Sequence, residues 1–141
     1  VDKKPDAKKG WSFFMSNDLI SIAKDNTIRT SSFKLNNIAK LIVNLKASTA
    51  VNQLKFSQKR ISLSVLKVLN AAIANAENNK QLDIDNLFVK EAYVGKSLSM
   101  KRFRPRAKGR ASSILKPFSK LTIVLEERRK HVKKNKKEKK D

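Results

Sequence analysis

The sequence predicts an α+β fold with a long basic hairpin and a basic C-terminal tail, and three observations carry that expectation. Apolar residues recur at spacings of three and four over 35–45 and 61–76, with a shorter helix that buries Val51, Leu54 and Phe56 between them, the mark of helices with one buried face. Stretches rich in β-branched and aromatic residues at 19–29, 86–94 and 121–125 read as strands. Between the last two strands lies Gly95 to Phe118, GKSLSMKRFRPRAKGRASSILKPF, which carries Lys96, Lys101, Arg102, Arg104, Arg106, Lys108, Arg110 and Lys116 and no acidic residue.

A chain of 141 residues is one domain plus tails. We expect an N-terminal extension over 1–18 that is disordered, a single domain over 19–127 that includes the hairpin at about 95–118, and a disordered lysine-rich tail over 128–141. The net charge of +21 is the dominant fact. Charge of that size selects nucleic acid or an anionic membrane surface as partner. A membrane-surface helix needs bulky apolar residues opposite its cations. The densest basic stretch holds Pro105 and Gly109 and no helical stripe, so nucleic acid is favoured and no membrane insertion is expected. The chain has no cysteine, and its one histidine, His131, lies in the lysine-rich tail. No thiolate metal site or disulfide is possible. We expect no cofactor and no metal.

Met15-Ser16-Asn17 reads as a translation start, and residues 1–14 as coming from an upstream start, with Val1 reflecting a valine codon used or assumed as initiator. The first strand, Leu19 to Arg29, is interrupted by the turn-like Asp25-Asn26. Ser31 or Ser32 can cap the first helix, whose face is Leu35, Ile38, Ala39, Ile42 and Leu45. Ser48 opens a second helix that buries Val51, Leu54 and Phe56. Ser57 caps the third, whose stripe is Ile61, Val65, Val68, Leu69, Ala72, Ile73 and Ala76. The small residues Ala71, Ala72, Ala74 and Ala76 admit another element closely, and Asn78-Asn79 should end the helix. The Asp83-x-Asp85 pair that follows is a weak metal signal and reads as a turn.

Two strands flank the basic stretch, so their natural pairing is antiparallel with the stretch as an extended ribbon. At about 3.3 Å per residue it would project on the order of 35 to 40 Å, with its turn at Pro105 to Gly109. Extended backbone would place residues 102, 104, 106, 108 and 110 on one face. The arginines offer planar forks for phosphate and for stacking, Phe103 can stack on an unpaired base, and Gly109 would let backbone approach. A flexible basic linker is the alternative.

VLNAAIANAENN from Val68, LDIDNLFVKEAYV, SMKRFRPRAKGRA and LTIVLEER occur in the order and spacing of a known family. Over about Ile28 to Arg128 the chain closely resembles the bacterial-type family of large-subunit ribosomal protein twenty-two. The resemblance implies three helices packed on a small three-stranded antiparallel sheet with a long extended β-hairpin. It implies a structural constituent of the large ribosomal subunit that binds large-subunit rRNA and places the hairpin along the nascent-peptide exit tunnel. Implied partners are that rRNA, neighbouring large-subunit proteins and the nascent polypeptide, in the cytoplasmic ribosome of a bacterium or the ribosome of an organelle, without homo-oligomers. By position, Met100, Lys101 and Arg102 match the tunnel-lining segment. Arg104, Arg106, Lys108 and Arg110 match the rRNA-embedded tip and return strand, and Arg29, Lys34, Lys59 and Arg60 match basic positions of the body. Lys101, Arg102 and Lys116 complete the rRNA-binding set. The chain departs from the family pattern at Ser32, Phe33, Asn36, Val43-Asn44-Leu45, Lys96-Ser97-Leu98, Ser113 and Pro117, which weakens the expected rRNA contacts of the first helix. The tail after Arg129 would add phosphate contacts.

Three functions are in play: the ribosomal constituent, a free-standing RNA-binding chaperone or regulator using the same surface, and a nucleic-acid enzyme. An enzyme needs a base, nucleophile or metal cluster, and the scattered acids and tail histidine offer none, so no catalysis is expected.

Overall fold

A computed structural model describes residues 19–128. The expected N-terminal extension, the start at Met15, His131 and the lysine tail from 129 onward lie outside the described residues. The elements run β1 (Ile20–Ile28), α1 (Ser32–Ile42), α2 (Ala47–Lys55), α3 (Ser62–Lys80), a 3-10 turn at Ile84–Asn86, β2 (Leu87–Pro105) and β3 (Ala111–Glu127). The strands form one antiparallel sheet in the order β1-β3-β2, so the expected α+β fold with three helices and three strands is what the chain adopts.

β3 is the central strand, and its period of two decides which way the sheet faces. Ser119, Leu121, Ile123 and Leu125 are fully buried under the helices. Ser21 and Ala23 of β1 and Leu87 and Val89 of β2 join them. Leu35, Ile38, Ala39 and Ile42 of α1, Ala47, Ala50 and Leu54 of α2, and Val65, Leu69, Ala72 and Ala76 of α3 close the core from the other side. The alanines act as the sequence predicts, but only two of the four. Ala72 and Ala76 face the sheet closely enough for the Ser21 hydroxyl to donate to the Ala72 carbonyl at 2.9 Å, whereas Ala71 and Ala74 are exposed.

Helix ends differ from the sequence expectation for identifiable reasons. No side chain caps α1, although Ser31 holds the N-cap position. α2 begins at Ala47, one residue ahead of Ser48, because its buried Ala47 belongs to the core. Ser57 does not cap α3. The helix starts at Ser62, which is wholly buried and donates its hydroxyl to the carbonyls of Ser57 and Lys59, folding 57–61 into a tight turn. Phe56, expected in the core, is 87 % exposed because α2 has already ended at Lys55. α3 continues past Asn78-Asn79 to Lys80. Gln81 takes the left-handed conformation, φ 51°, and the Leu82 amide donates back to Ala76 while its side chain is buried. Burial of Leu82 outweighs the local preference of asparagine for that role.

The arm grows out of the sheet. β2 has one residue more than β3 between Val89 and Glu91 and again between Lys96 and Ser99, while β3 runs without insertion. Such bulges increase twist, and the second falls where the ribbon leaves the body. From there the pairs run from Ser99 with Pro117 to Pro105 with Ala111, and from Lys96 to Pro105 the strand reaches about 30 Å at about 3.3 Å per residue. The tip is a 3-10 turn at Ala107–Gly109, closed by the Arg106 amide donating to the Arg110 carbonyl at 2.8 Å. Lys108 and Gly109 have φ of 60° and 67° there, so Gly109 serves the turn, and among the described residues no atom comes within 4 Å of where its Cβ would stand. Arg128, read as the first residue of a disordered tail, is held instead. Its amide donates to Asn86 at 3.0 Å, and its guanidinium lies over the Phe88 ring, 4.9 Å from the centroid.

Candidate nucleic-acid interface

The order and pairing of the elements give the body two unlike ends. β1 ends, α1 begins, α2 ends and α3 begins at the end from which the arm projects. The opposite end holds the start of β2, the end of β3 and the C-terminus of α3. At the arm end, Arg29, Thr30, Ser31, Lys34, Arg60, Lys116 and the apolar Ile61, Leu115 and Pro117 line one groove. Lys34 also borders an adjoining groove with Lys59. Residues 29, 34, 60 and 116, dispersed in sequence, therefore form a single basic surface.

Buried hydroxyls hold this groove in shape. The Ser119 hydroxyl donates to the Thr30 carbonyl at 2.8 Å, and the Thr30 amide donates to Ile28 at 2.8 Å. Those two bonds fix the turn carrying Arg29 against the root of the arm. The buried Ser62 does the same for the turn that presents Lys59 and Arg60. None of Arg29, Lys34, Lys59, Arg60 or Lys116 has an acidic partner among the described residues, and each is exposed. Unpaired cations at this density repel one another, and an anion relieves that repulsion. The uncapped N-termini of α1 and α3, with no acidic residue in either first turn, add the positive ends of two helix dipoles.

Most acidic residues lie elsewhere. Glu77, Asp83, Asp85, Glu126 and Glu127 lie toward the far end, Glu91 lies on the sheet face away from the helices, and Asp25, opposite Leu121 in the last part of β1, accepts from the Thr27 amide. The Lys90–Glu126 ion pair, 3.0 Å, is in that region too. Asp83 and Asp85 behave as the turn reading expects: the Asp83 carboxylate accepts from the Asp85 amide at 3.1 Å and from the Asn86 side chain. Among the described residues no three His, Cys, Asp or Glu come together, and no helix is long and apolar enough to cross a membrane.

On the arm, alternation sorts the residues into two faces. Met100, Arg102, Arg104, Ser112, Ile114 and Lys116 share the face that continues the helix-free side of the sheet. Lys101, Phe103, Ser113 and Leu115 share the other. The Arg102 guanidinium folds back to donate to the Lys101 carbonyl at 2.9 Å and lies 3.8 Å from the Met100 sulfur. The single basic face expected through 102, 104, 106, 108 and 110 holds through the extended residues 102, 104 and 106, and Arg110 opposite Arg106 is extended too. The tip turn redirects Lys108, because the left-handed pair Lys108 and Gly109 ends the alternation there.

Sequence reasoning missed the polarity of the body, since it depends on which helix ends share one side of the sheet. A signal did exist: no Asp or Glu stands between Asp25 and Glu77, which includes both first turns at the arm end. Nothing in the sequence marked Leu115 and Pro117 as groove walls.

On the helix-free side, the Tyr93 phenol donates to the Glu91 carboxylate. That hydrogen bond, with lesser contributions from desolvation and the Glu91 charge, raises the phenol above its ordinary value. Tyr93 is the only tyrosine, so ultraviolet titration reads it directly. Phenolate formation should be displaced to higher pH, and Glu91→Gln should move the midpoint back down.

Fold and surface define a small α+β protein built to lie against a polyanion and to push a basic arm into it. The chain belongs to the family described as ribosomal protein L22p/L17e, whose sequence profile matches residues 23–126. It is similar to the protein named large ribosomal subunit protein uL22 of Pelagibacter ubique (strain HTCC1062), 58% identical over 103 residues, which cover 73% of this chain and 78% of the relative. The protein of the same name from Phenylobacterium zucineum (strain HLK1) is 59% identical over 107 residues, 76% of this chain and 85% of the relative. That of Maricaulis maris (strain MCS10) is 61% identical over 105 residues, 74% and 83%.

Proposed function

We propose that this chain is a structural, non-catalytic constituent of the large subunit of a bacterial cytoplasmic ribosome, where it binds large-subunit rRNA. The observation that carries the reading is the convergence of Arg29, Lys34, Arg60 and Lys116, unpaired and from four chain segments, at the root of a basic arm. Family membership supplies the polyanion. The mechanism is phosphate neutralisation with release of condensed counterions, aided by a body most of whose acids lie toward the end that turns away from RNA. The body then touches rRNA through Arg29, Lys34, Lys59 and Arg60, and the arm through Lys101, Arg102, Arg104, Arg106, Lys108, Arg110 and Lys116.

For the arm we infer a place along the nascent-peptide exit tunnel. Met100 and Arg102 share one face and are in contact, so the pair lines the tunnel where that face meets rRNA, Met100 turned to the nascent chain and the Arg102 guanidinium to phosphate. Lys101, on the opposite face beside Phe103, faces the rRNA wall. A single copy, packed beside other large-subunit proteins, serves each particle.

Sedimentation of a cell extract through a high-salt gradient tests the assignment. The chain should travel with large-subunit particles. A protein found chiefly in the free fractions would instead be a free-standing RNA chaperone using the same surface.

A further inference from the structure

Beside the basic groove lies a second cavity of different chemistry. Ser31, Ser32, Ser97, Ser99 and Ser119 line it together with Leu98, Leu115, Pro117 and Phe118, and Lys96 is its one charged residue. It shares Ser31, Leu115 and Pro117 with the basic groove, so the two adjoin across a common wall. The second bulge of β2, between Lys96 and Ser99, opens it by carrying Ser97 and Leu98 out of the ladder.

We propose that this cavity receives one unstacked nucleobase of the RNA strand whose phosphates occupy the basic groove. The inference rests on the RNA-binding reading and adds to it a base-binding site. Its first support is chemical. A base has apolar faces and a polar edge, and the cavity offers Leu98, Leu115 and Pro117 for the faces and hydroxyls for the edge. The hydroxyls of Ser31, Ser32, Ser97 and Ser99 make no hydrogen bond among the described residues, whereas that of Ser119 is committed to Thr30. Hydroxyls both donate and accept, so four free ones can serve the edge of any base without strong choice among them.

The second support is position. Bases in a strand hang from the phosphates, so a base site must lie next to a phosphate site and carry less charge. The shared wall provides that neighbour, and Leu98, 62 % accessible, stands outside the hydrophobic core. The cavity, about 400 Å³, is also of the size of ordinary small-ligand sites.

Two single-stranded RNA probes of eight nucleotides test the proposal with the full chain, one bearing uracil throughout and one abasic throughout. Their charge is the same. The base-bearing probe should bind about tenfold more tightly, the scale of one base contact. Leu98→Ser, and separately Ser97→Ala with Ser99→Ala, should shrink that preference severalfold while leaving the abasic probe's affinity unchanged. Phe103→Ala serves as background, since Phe103 is 76 % exposed and can stack on a base independently. The preference must persist there. Equal, salt-sensitive binding of both probes overturns the base site and leaves the phosphate groove intact. A preference untouched by Leu98→Ser also overturns it, placing base contact elsewhere. Salt-insensitive binding of both would overturn the RNA-binding reading itself.

Discussion

Replacing Lys101, Arg102, Arg104, Arg106, Lys108 and Arg110 together by glutamine is expected to lower the slope of log affinity against log salt for rRNA by about 4 to 5. Each neutralised phosphate contributes about 0.7 in single strands to about 0.9 in duplex. The gap between the native chain and this variant should therefore narrow by on the order of several hundredfold between about 50 and 200 mM salt. All six side chains are exposed, and the arm contributes nothing to the core, so thermal stability of the body should change little. Affinity measured by filter binding across that salt range checks the result. A uniform loss with an unaltered slope would mean that the arm contributes shape and not charge.

Truncating Leu69 to alanine should have the largest effect on the fold. Leu69 is fully buried at the middle of α3, the helix that packs against β1 and β3 and presents Arg60 at its start. Removal of such a side chain costs about 2 to 5 kcal/mol through lost transfer energy and a residual cavity. That is a large share of the roughly 5 to 15 kcal/mol that stabilises a domain. Phe56→Ser, at an exposed ring, should shift stability by less than about 0.5 kcal/mol. Urea unfolding of the two variants side by side reads both numbers. Comparable losses would place Phe56 in the core after all.

Most of the architecture was legible because periodicity is a consequence of burial. The stripe of α3 and the alternation of Leu121, Ile123 and Leu125 are signals that a buried face cannot avoid leaving. The tip was legible as well: Pro105 to Gly109 holds the residues that a reversal demands, and the left-handed pair falls within it. Helix ends were less so. Ser62, not Ser57, is decisive for α3, since a buried hydroxyl bound to two carbonyls reports tertiary enclosure that no local pattern encodes. The arm's basic face was misread only at Lys108, because a turn of unknown geometry had to be treated as extended. The basic body residues were individually visible, but their meeting at Arg29, Lys34, Arg60 and Lys116 depends on the strand order β1-β3-β2 and on where α3 starts.

The central claim is that the arm end of the body, rather than its charge as a whole, holds RNA. Two triple variants with the same change in charge test it most directly, through the salt dependence of rRNA binding. Arg29, Lys34 and Lys116 replaced by glutamine should lower the slope by about 2 to 3, one phosphate for each cation. Lys24, Lys67 and Lys90, placed on the sheet's open face and along α3, should leave the slope unchanged when replaced in the same way. Equal losses in the two variants would contradict the account, because binding would then follow net charge and no localised surface.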